Sequence, residues 1–210
     1  MIGDNEVYVI DDFLDKEYQE KIKTILLGGD GSYNDQDFPW YFIEDVTAAG
    51  DEDNQHRPAL NHNYVEIEDD VDDITQLYGV VSSEFHSLFM PLLRKAAIKF
   101  NMKHVDVLQG RSFLQFPLNL KDQTVDTPHV DVHHLKHLVV LYYVCDSDGD
   151  TIIYNEREEK NSYTIKHKIT PKQGRVVLFD GLLMHTAEQP KNNVRCIVNY
   201  NLVPQNAINF

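Results

Sequence analysis

The second half of the sequence consists of short segments rich in β-branched and aromatic residues, separated by turns. These segments cover residues 105–109, 111–116, 138–144, 150–155, 163–169, 175–179, 184–188 and 194–203. Eight short strands within about a hundred residues are typical of a β-sandwich or a β-barrel. The sequence therefore predicts a β core over residues 105–203.

Helical patterns dominate the region before this core. After a short predicted strand at residues 7–10, Asp15 is placed to cap a helix over residues 15–27. Apolar residues recur at helical spacing over residues 74–100, where Pro91 forces a break or a kink. With 210 residues the chain suits a single α+β domain, with an N-terminal helical and lid region (1–104) before the core.

Acidic residues are concentrated between Glu44 and Asp73. This stretch holds eleven acidic residues and one basic residue, Arg57, and so carries most of the net charge of −15. It shows no sustained helical or strand period, which predicts a long solvated loop. Two interpretations remain open: a surface excursion, or a lid from about residue 31 that covers a site. The net charge argues against nucleic-acid and anionic membrane partners.

The location of the protein is inferred from what the sequence does not contain. The longest unbroken apolar run, residues 138–145, is far shorter than the roughly twenty residues of a membrane-spanning helix. Acidic residues at the N-terminus differ from the basic start of a signal peptide. Cys145 and Cys196 lie in strand-like apolar runs and are expected to be buried, reduced thiols. We therefore expect a cytoplasmic protein.

Three residues in the β region have the composition of a metal site. His129 and Asp131 are two positions apart, so in an extended backbone both project from the same face. His185 interrupts a later apolar segment, and Arg195 follows it by ten positions at the start of another. Two histidines and one carboxylate make the facial triad of non-haem Fe(II) oxygenases. A cation in an apolar strand requires a buried anion as its partner.

With these residues in place, the sequence resembles the Fe(II)- and 2-oxoglutarate-dependent dioxygenases, in particular their prolyl-hydroxylase-like branch. The resemblance covers residues 105–203 and the short segment 9–14. It is carried by the metal-site residues, the strand 138–144, the turn 148–151 and the segment from Phe179 to Arg195. The turn reads Asp-Gly-Asp-Thr where the family often has Gly-Gly-x-Thr, and collagen-type prolyl hydroxylases have lysine in place of Arg195.

The resemblance implies a double-stranded β-helix, or jelly roll, with the N-terminal helices packed on one sheet. It also implies that His129, Asp131 and His185 are the catalytic Fe(II) ligands. Arg195 and Tyr143 would bind the cosubstrate 2-oxoglutarate, which O₂ converts to succinate and CO₂ while a substrate is hydroxylated. On the resemblance alone, the expected substrate is a prolyl or other amino-acid side chain, free or in a peptide.

Several alternatives remain open at this point. The jelly roll could be a non-catalytic interaction module, or a cupin-like metal protein that does not use 2-oxoglutarate. Arg195 could instead form a surface salt bridge to the acidic stretch, and Tyr142 rather than Tyr143 could face the barrel. His133 and His137 have the spacing of a helical zinc site, although no second pair of ligands follows them. The segment 38–41 is either a core anchor or a substrate platform, and the oligomeric state is not predicted.

Overall fold

The structure, a computed structural model, describes residues 3–28, 38–46, 56–68, 77–120, 125–133 and 135–204. The helices of this part are α1 (Lys16–Leu27), a 3-10 helix (Glu84–Phe89) and α2 (Met90–Lys99). The strands are β1 (Val7–Ile10), β2 (Tyr41–Ile43), β3 (Ala59–Ile67), β4 (Gly79–Val81), β5 (Val105–Gln115), β6 (Leu138–Tyr143), β7 (Thr151–Tyr154), β8 (Ile165–Ile169), β9 (Val176–Asp180), β10 (His185–Ala187) and β11 (Arg195–Pro204).

Two antiparallel sheets make up the core. The larger sheet has the order β1-β9-β6-β11-β5-β3-β2, and β4 pairs with the far end of β3. The smaller sheet has the order β10-β7-β8. Residues 125–129 extend it along β10, through the bridges Val125–Glu188 and His129–His185. These two facing sheets confirm the predicted jelly-roll core.

The larger sheet is buried on both faces by different partners. Its inner face packs against the smaller sheet through Val139, Leu141, Tyr143, Ile153, Ile169, Val177, Phe179, Leu183 and Ile197. Its outer face forms a second apolar cluster with α1 and α2, which includes Ile22 and Leu92 from the helices and Val140 and Val198 from the strands. Because adjacent strand residues face opposite ways, the apolar run of β6 supplies both clusters.

The bounds of the first helix agree with the sequence prediction. The Asp15 side chain accepts a hydrogen bond from the backbone N–H of Tyr18 at 2.9 Å, and the helix ends at Gly28 with a φ of 79°. None of the described helices is long and apolar enough to cross a membrane.

Two N-terminal predictions were wrong. Residues 59–67, expected in a solvated loop, form strand β3, in which Ala59, Tyr64 and Val65 are buried. A register shift between Asn63 and Val65 breaks the alternation of polar and apolar residues, so the sequence shows no strand period. Residues 79–81, expected to be helical, form β4 on the edge of β3.

The second helical region begins later than predicted. The 3-10 helix starts after Ser83, and Pro91 lies in the first turn of α2, where a missing backbone N–H costs nothing. Pro91 therefore lies at the predicted break, where the 3-10 helix gives way to α2, and does not kink a single helix. Residues 29–37, 47–55 and 69–76, which hold about half of the predicted lid, lie outside the described residues.

Candidate metal centre and cosubstrate pocket

The two histidines of the predicted metal site lie on adjacent strands of the smaller sheet. His129 and His185 form a bridge in which each backbone N–H donates to the other carbonyl at 2.9 Å. This pairing places the rings side by side, with centroids 4.7 Å apart. Asp131 completes the group, and one ligand atom from each of the three residues lies within 4.8 Å of the others. The structure thus brings together the three residues that the sequence predicted as metal ligands.

Hydrogen bonds to backbone carbonyls orient both imidazole rings. His129 Nδ1 lies 3.1 Å from the Thr127 carbonyl, and His185 Nδ1 lies 3.0 Å from the Leu183 carbonyl. A carbonyl can only accept, so in each ring Nδ1 carries the proton and Nε2 keeps a lone pair. Burial, and to a smaller extent the neighbouring His129, lower the pKa of His185 to about 4. His185 is therefore neutral near pH 7, the form that binds a metal.

The larger sheet holds the third ligand. Arg111 Nη2 donates to Asp131 Oδ1 at 2.5 Å, and Asn199 Nδ2 donates to Asp131 Oδ2 at 2.9 Å. Burial by itself raises the pKa of Asp131, but the charge of Arg111, together with the hydrogen bond from Asn199, opposes it, and that pKa lies below its usual value. The carboxylate is therefore ionised. Two imidazoles and one carboxylate fit the donor set of an Fe(II) oxygenase centre.

Arg195 is a buried cation with neutral partners. Only 4% of its surface is exposed. Its guanidinium donates to the Gly149 carbonyl at 3.0 Å, Gln115 Oε1 at 2.7 Å and Thr151 Oγ1 at 2.9 Å. Burial lowers its pKa. No carboxylate of the described residues lies within ion-pair distance, which argues against the surface salt bridge and for an anionic ligand.

Tyr143 and Tyr142 face opposite sides of the larger sheet. Tyr143 belongs to the cluster between the two sheets, whereas Tyr142 packs toward the helices. Burial raises the pKa of Tyr143 to about 12, so its hydroxyl is a neutral donor. That hydroxyl has no partner of normal hydrogen-bond geometry in the described part of the chain. Of the two tyrosines, Tyr143 is the one on the Arg195 side of the sheet.

A single cavity connects these groups. It has a volume of about 510 Å³ and is lined by all three candidate metal ligands, by Arg195 with Gln115 and Thr151, and by residues nearer its mouth that include Val46, His133 and Glu159. Tyr143 is not part of the lining. The same cavity therefore contains the candidate metal site and an arginine that has no anionic partner among the described residues.

The single base of the acidic stretch contacts the cavity wall. Arg57 is completely buried, and its Nε lies 3.1 Å from Oδ1 of Asp126, a lining residue. The Arg57 carbonyl also accepts a hydrogen bond at 3.1 Å from the backbone N–H of Val46, which lines the cavity as well. The described portion of the acidic stretch is thus attached beside the cavity, and its role as a lid stays a prediction.

The turn that departs from the family pattern supports Arg195. Asp148 accepts hydrogen bonds from the backbone N–H groups of Lys191, Asn192 and Asn193 at 3.0–3.3 Å. These three residues form the turn that leads into β11 and therefore into Arg195. The aspartate in place of glycine has a structural role here, since it joins the two turns that surround the guanidinium.

Sequence reasoning missed Arg111, Asn199 and Asp126, all of which line the cavity. The signal for the first two was strand alternation. Asn199 lies four positions after Arg195 on β11 and therefore shares a face with a residue already singled out. Arg111 lies four positions before Gln115, a hydrogen-bond partner of Arg195, on β5. The register pairs Arg111 with Asn199 directly. Asp126 carried no such signal.

The remaining alternatives can now be compared with the structure. His137 Nδ1 bonds to the Leu135 carbonyl at 2.7 Å, and the described residues contain no group of potential metal ligands besides the triad, which leaves the His133–His137 zinc site without support. Cys145 and Cys196 are buried, unpaired thiols whose pKa values burial raises. Trp40 donates to the Leu26 carbonyl at 3.0 Å and packs against the helical cluster, so the segment 38–41 includes a core anchor.

Comparison with known proteins gives a clear result for structure and none for sequence. No protein-family model and no curated protein matches the sequence. An oxidoreductase of the 2OG-Fe(II) oxygenase family from Burkholderia pseudomallei superposes with a TM-score of 0.63, over 95% of this chain and 85% of its own, at 12% identity. The fold is that of these oxygenases.

Two further structures support the same conclusion. The viral collagen prolyl hydroxylase of Paramecium Bursaria Chlorella virus-1, in complex with 2-oxoglutarate, superposes with a TM-score of 0.52, at 12% identity over 93% of this chain and 94% of its own. HygX of Streptomyces hygroscopicus, with nickel, 2-oxoglutarate and hygromycin B bound, superposes with a TM-score of 0.55, at 12% identity over 96% of this chain and 84% of its own. Proteins with this fold therefore include a collagen prolyl hydroxylase and a protein that has hygromycin B bound.

Proposed function

We propose that the protein is an Fe(II)- and 2-oxoglutarate-dependent dioxygenase. In this proposal it hydroxylates a C–H bond of a prolyl or other amino-acid side chain and converts 2-oxoglutarate and O₂ to succinate and CO₂. The observation that carries the proposal is the buried Arg195, which has no carboxylate partner among the described residues and shares a cavity with the His129–Asp131–His185 group. Two of the structural neighbours bind 2-oxoglutarate in the same fold.

Each residue of the cavity has a distinct part in this proposal. His129, Asp131 and His185 would hold Fe(II), which, with O₂ and 2-oxoglutarate, supplies the oxidising chemistry. Arg195 binds the far carboxylate of the cosubstrate through paired, charge-assisted hydrogen bonds. Gln115 and Thr151 fix the direction of the guanidinium, because each accepts a hydrogen bond from one of its nitrogens. The two sheets bury the Asp131 and His185 side chains, whereas the His129 side chain is 51% exposed.

Two features argue against the alternatives. A non-catalytic interaction module has no need for two histidines and a carboxylate that lie close together in one cavity. A cupin-like metal protein that does not use 2-oxoglutarate has no need for a buried guanidinium on neutral partners, which is costly without its anion.

The test is anaerobic addition of Fe(II) and 2-oxoglutarate, followed by addition of O₂ and measurement of succinate. We expect a weak visible charge-transfer band in the parent protein and its loss in His185→Ala, along with loss of succinate formation. The matched control is His104→Ala, a histidine that does not line the cavity. A parent protein with no band and no succinate, or an unchanged band in His185→Ala, would contradict the proposal.

A further inference from the structure

A second arginine lies inside the same cavity. Arg111, on β5, lines the wall next to the candidate metal ligands, and 24% of its side chain is exposed. Its guanidinium lies over the ring of Phe113, 5.3 Å from the centroid, which fixes its direction. Its ion-pair partner is Asp131, and the described residues offer it no other carboxylate within 4.0 Å. The guanidinium therefore belongs to a partly exposed side chain of the cavity wall.

The charge of the loaded cavity is not balanced by the chain alone. In the loaded protein Asp131 would contact both Arg111 and the metal. The divalent ion would then share the negative charge of Asp131, which neutralises Arg111 in this structure. The two arginines and the metal carry four positive charges, whereas Asp131 and the 2-oxoglutarate dianion carry three negative ones. Asp126 is paired with Arg57, and Glu159 is exposed at the mouth, where water and salt screen it. One positive charge in the loaded cavity therefore has no negative partner. Arg111 is the cation that shares its counter-ion with the metal.

Asn199 adds a complementary group at the same place. Its Nδ2 donates to Asp131 Oδ2 at 2.9 Å, while its Oδ1 is buried without a hydrogen-bond partner in the described residues. Asn199 lines the cavity, only 7% of it is exposed, and the strand register pairs it with Arg111. The wall thus presents a cationic donor next to an unused acceptor. A buried acceptor without a partner costs free energy unless a ligand supplies a donor.

We propose that Arg111 binds a carboxylate of the substrate, and that the substrate is a free amino acid. The α-carboxylate pairs with the Arg111 guanidinium, and the α-ammonium group is a suitable donor for Asn199 Oδ1. This inference rests on the proposed function, since it assigns the substrate class of that site. It favours a small molecule over a prolyl residue within a polypeptide, where both backbone groups are neutral amides.

The experiment compares free amino acids with their carboxamides, which differ in charge at one group. Protein loaded anaerobically with Mn(II) and saturating 2-oxoglutarate is titrated calorimetrically with each standard amino acid as the free acid and as the amide. We expect at least one acid to bind about ten- to a hundredfold more tightly than its amide, the range for one charge-assisted hydrogen-bonded pair. Arg111→Gln should remove this preference, so that the acid and its amide bind to that variant with affinities within about twofold of each other, whereas Arg111→Lys should keep part of the preference.

The matched control is Arg94→Gln, an exposed arginine on α2 that does not line the cavity and should behave as the parent protein. Equal binding of acids and amides, no binding of any free acid, or an acid preference that survives in Arg111→Gln would overturn the assignment. Failure of Mn(II) or 2-oxoglutarate to bind the parent protein in the first step would overturn the proposed function as well. Binding of both without discrimination between acid and amide overturns the Arg111 assignment alone.

Discussion

At the scale of single residues, Arg195 combines a buried charge with the clearest chemical requirement. Every hydrogen bond that it makes in the described structure ends on a neutral oxygen. The guanidinium is therefore held in place by hydrogen bonds, but its positive charge has no negative partner among the described residues. A dicarboxylate completes it, and this is where the cavity should gain most of its affinity for the cosubstrate.

The first prediction follows from this arrangement. Arg195→Ala should weaken 2-oxoglutarate binding by roughly 30-fold to several thousand-fold, corresponding to the loss of one desolvated charge pair. Binding of Mn(II) should change little, because Arg195 makes no hydrogen bond to a candidate ligand. Calorimetric titration of each ligand in turn measures both. An affinity for 2-oxoglutarate within about twofold of the parent value would show that the arginine serves another purpose.

The chemistry of individual residues was also the part most accessible from sequence. A metal site needs particular side chains at a particular spacing, and His129, Asp131 and His185 showed that spacing directly. Arg111 and Asn199 escaped notice because their significance depends on which strands are neighbours. Residues 88 positions apart in the chain face each other only through the register of β5 and β11.

At the scale of elements, His62 joins three pieces of the N-terminal half. From β3, its Nδ1 lies 2.7 Å from the Pro39 carbonyl before β2, and its Nε2 lies 2.8 Å from Ser83 Oγ. Ser83 in turn caps the 3-10 helix through the Phe85 N–H. The carbonyl requires the proton on Nδ1, and Ser83 then donates to Nε2, so the neutral ring satisfies all three elements.

A pH dependence of stability follows from this contact. Burial lowers the pKa of His62 below 6.5, so the unfolded chain takes up a proton at a higher pH than the folded protein does. The free energy of unfolding should therefore fall as the pH drops through 6.5. In His62→Gln this loss should be smaller between pH 7.5 and 5.5, as measured by urea unfolding. Identical pH profiles for the two proteins would mean that His62 does not contribute.

The contact between β5 and β11 depends on one glycine. A Cβ on Gly110 would lie 2.1 Å from Cε1 of Tyr200, a completely buried side chain that pairs with it across the strands. Gly110→Ala should therefore lower the free energy of unfolding by about 1–3 kcal/mol, the usual cost of overpacking. The same substitution in a Tyr200→Leu background should cost less, because the ring is absent. Equal costs in the two backgrounds, measured by urea unfolding, would exclude the clash as the cause.

The strands of the core and those of the N-terminal half differed in how visible they were. β6 and β9 are buried on both faces and appear as uninterrupted apolar runs, which makes them easy to recognise. β3 has charged and amide residues among its apolar ones and a bulge that interrupts its period, and only its neighbour β5 shows why it is a strand. A local sequence pattern therefore predicts a strand when the strand is buried on both faces. It does not do so when pairing with a strand that is distant in the sequence determines the structure.

For the whole molecule, the ion pair of Arg57 and Asp126 joins the N-terminal half to the core. Arg57 precedes β3, whereas Asp126 belongs to the segment that carries His129 and pairs with β10. Arg57→Ala should cost about 3–5 kcal/mol of unfolding free energy, since it leaves a carboxylate buried without its cation. Arg94→Ala on the surface is the matched control and should have little effect. Urea unfolding of both variants is the measurement, and equal stabilities would contradict the prediction.

The division of the candidate metal ligands between the two sheets has a consequence for metal choice. Both imidazoles belong to the smaller sheet, while the carboxylate is held by Arg111 and Asn199 of the larger one. The distances from the imidazoles to the carboxylate therefore depend on the separation of the two sheets. The apolar side chains between the sheets determine that separation. Trimming such a side chain, for instance Ile153→Val, should shift the ranking among divalent ions of different radius before it affects the fold. Selectivity for the ion is in this sense a property of core packing and not of the ligands alone.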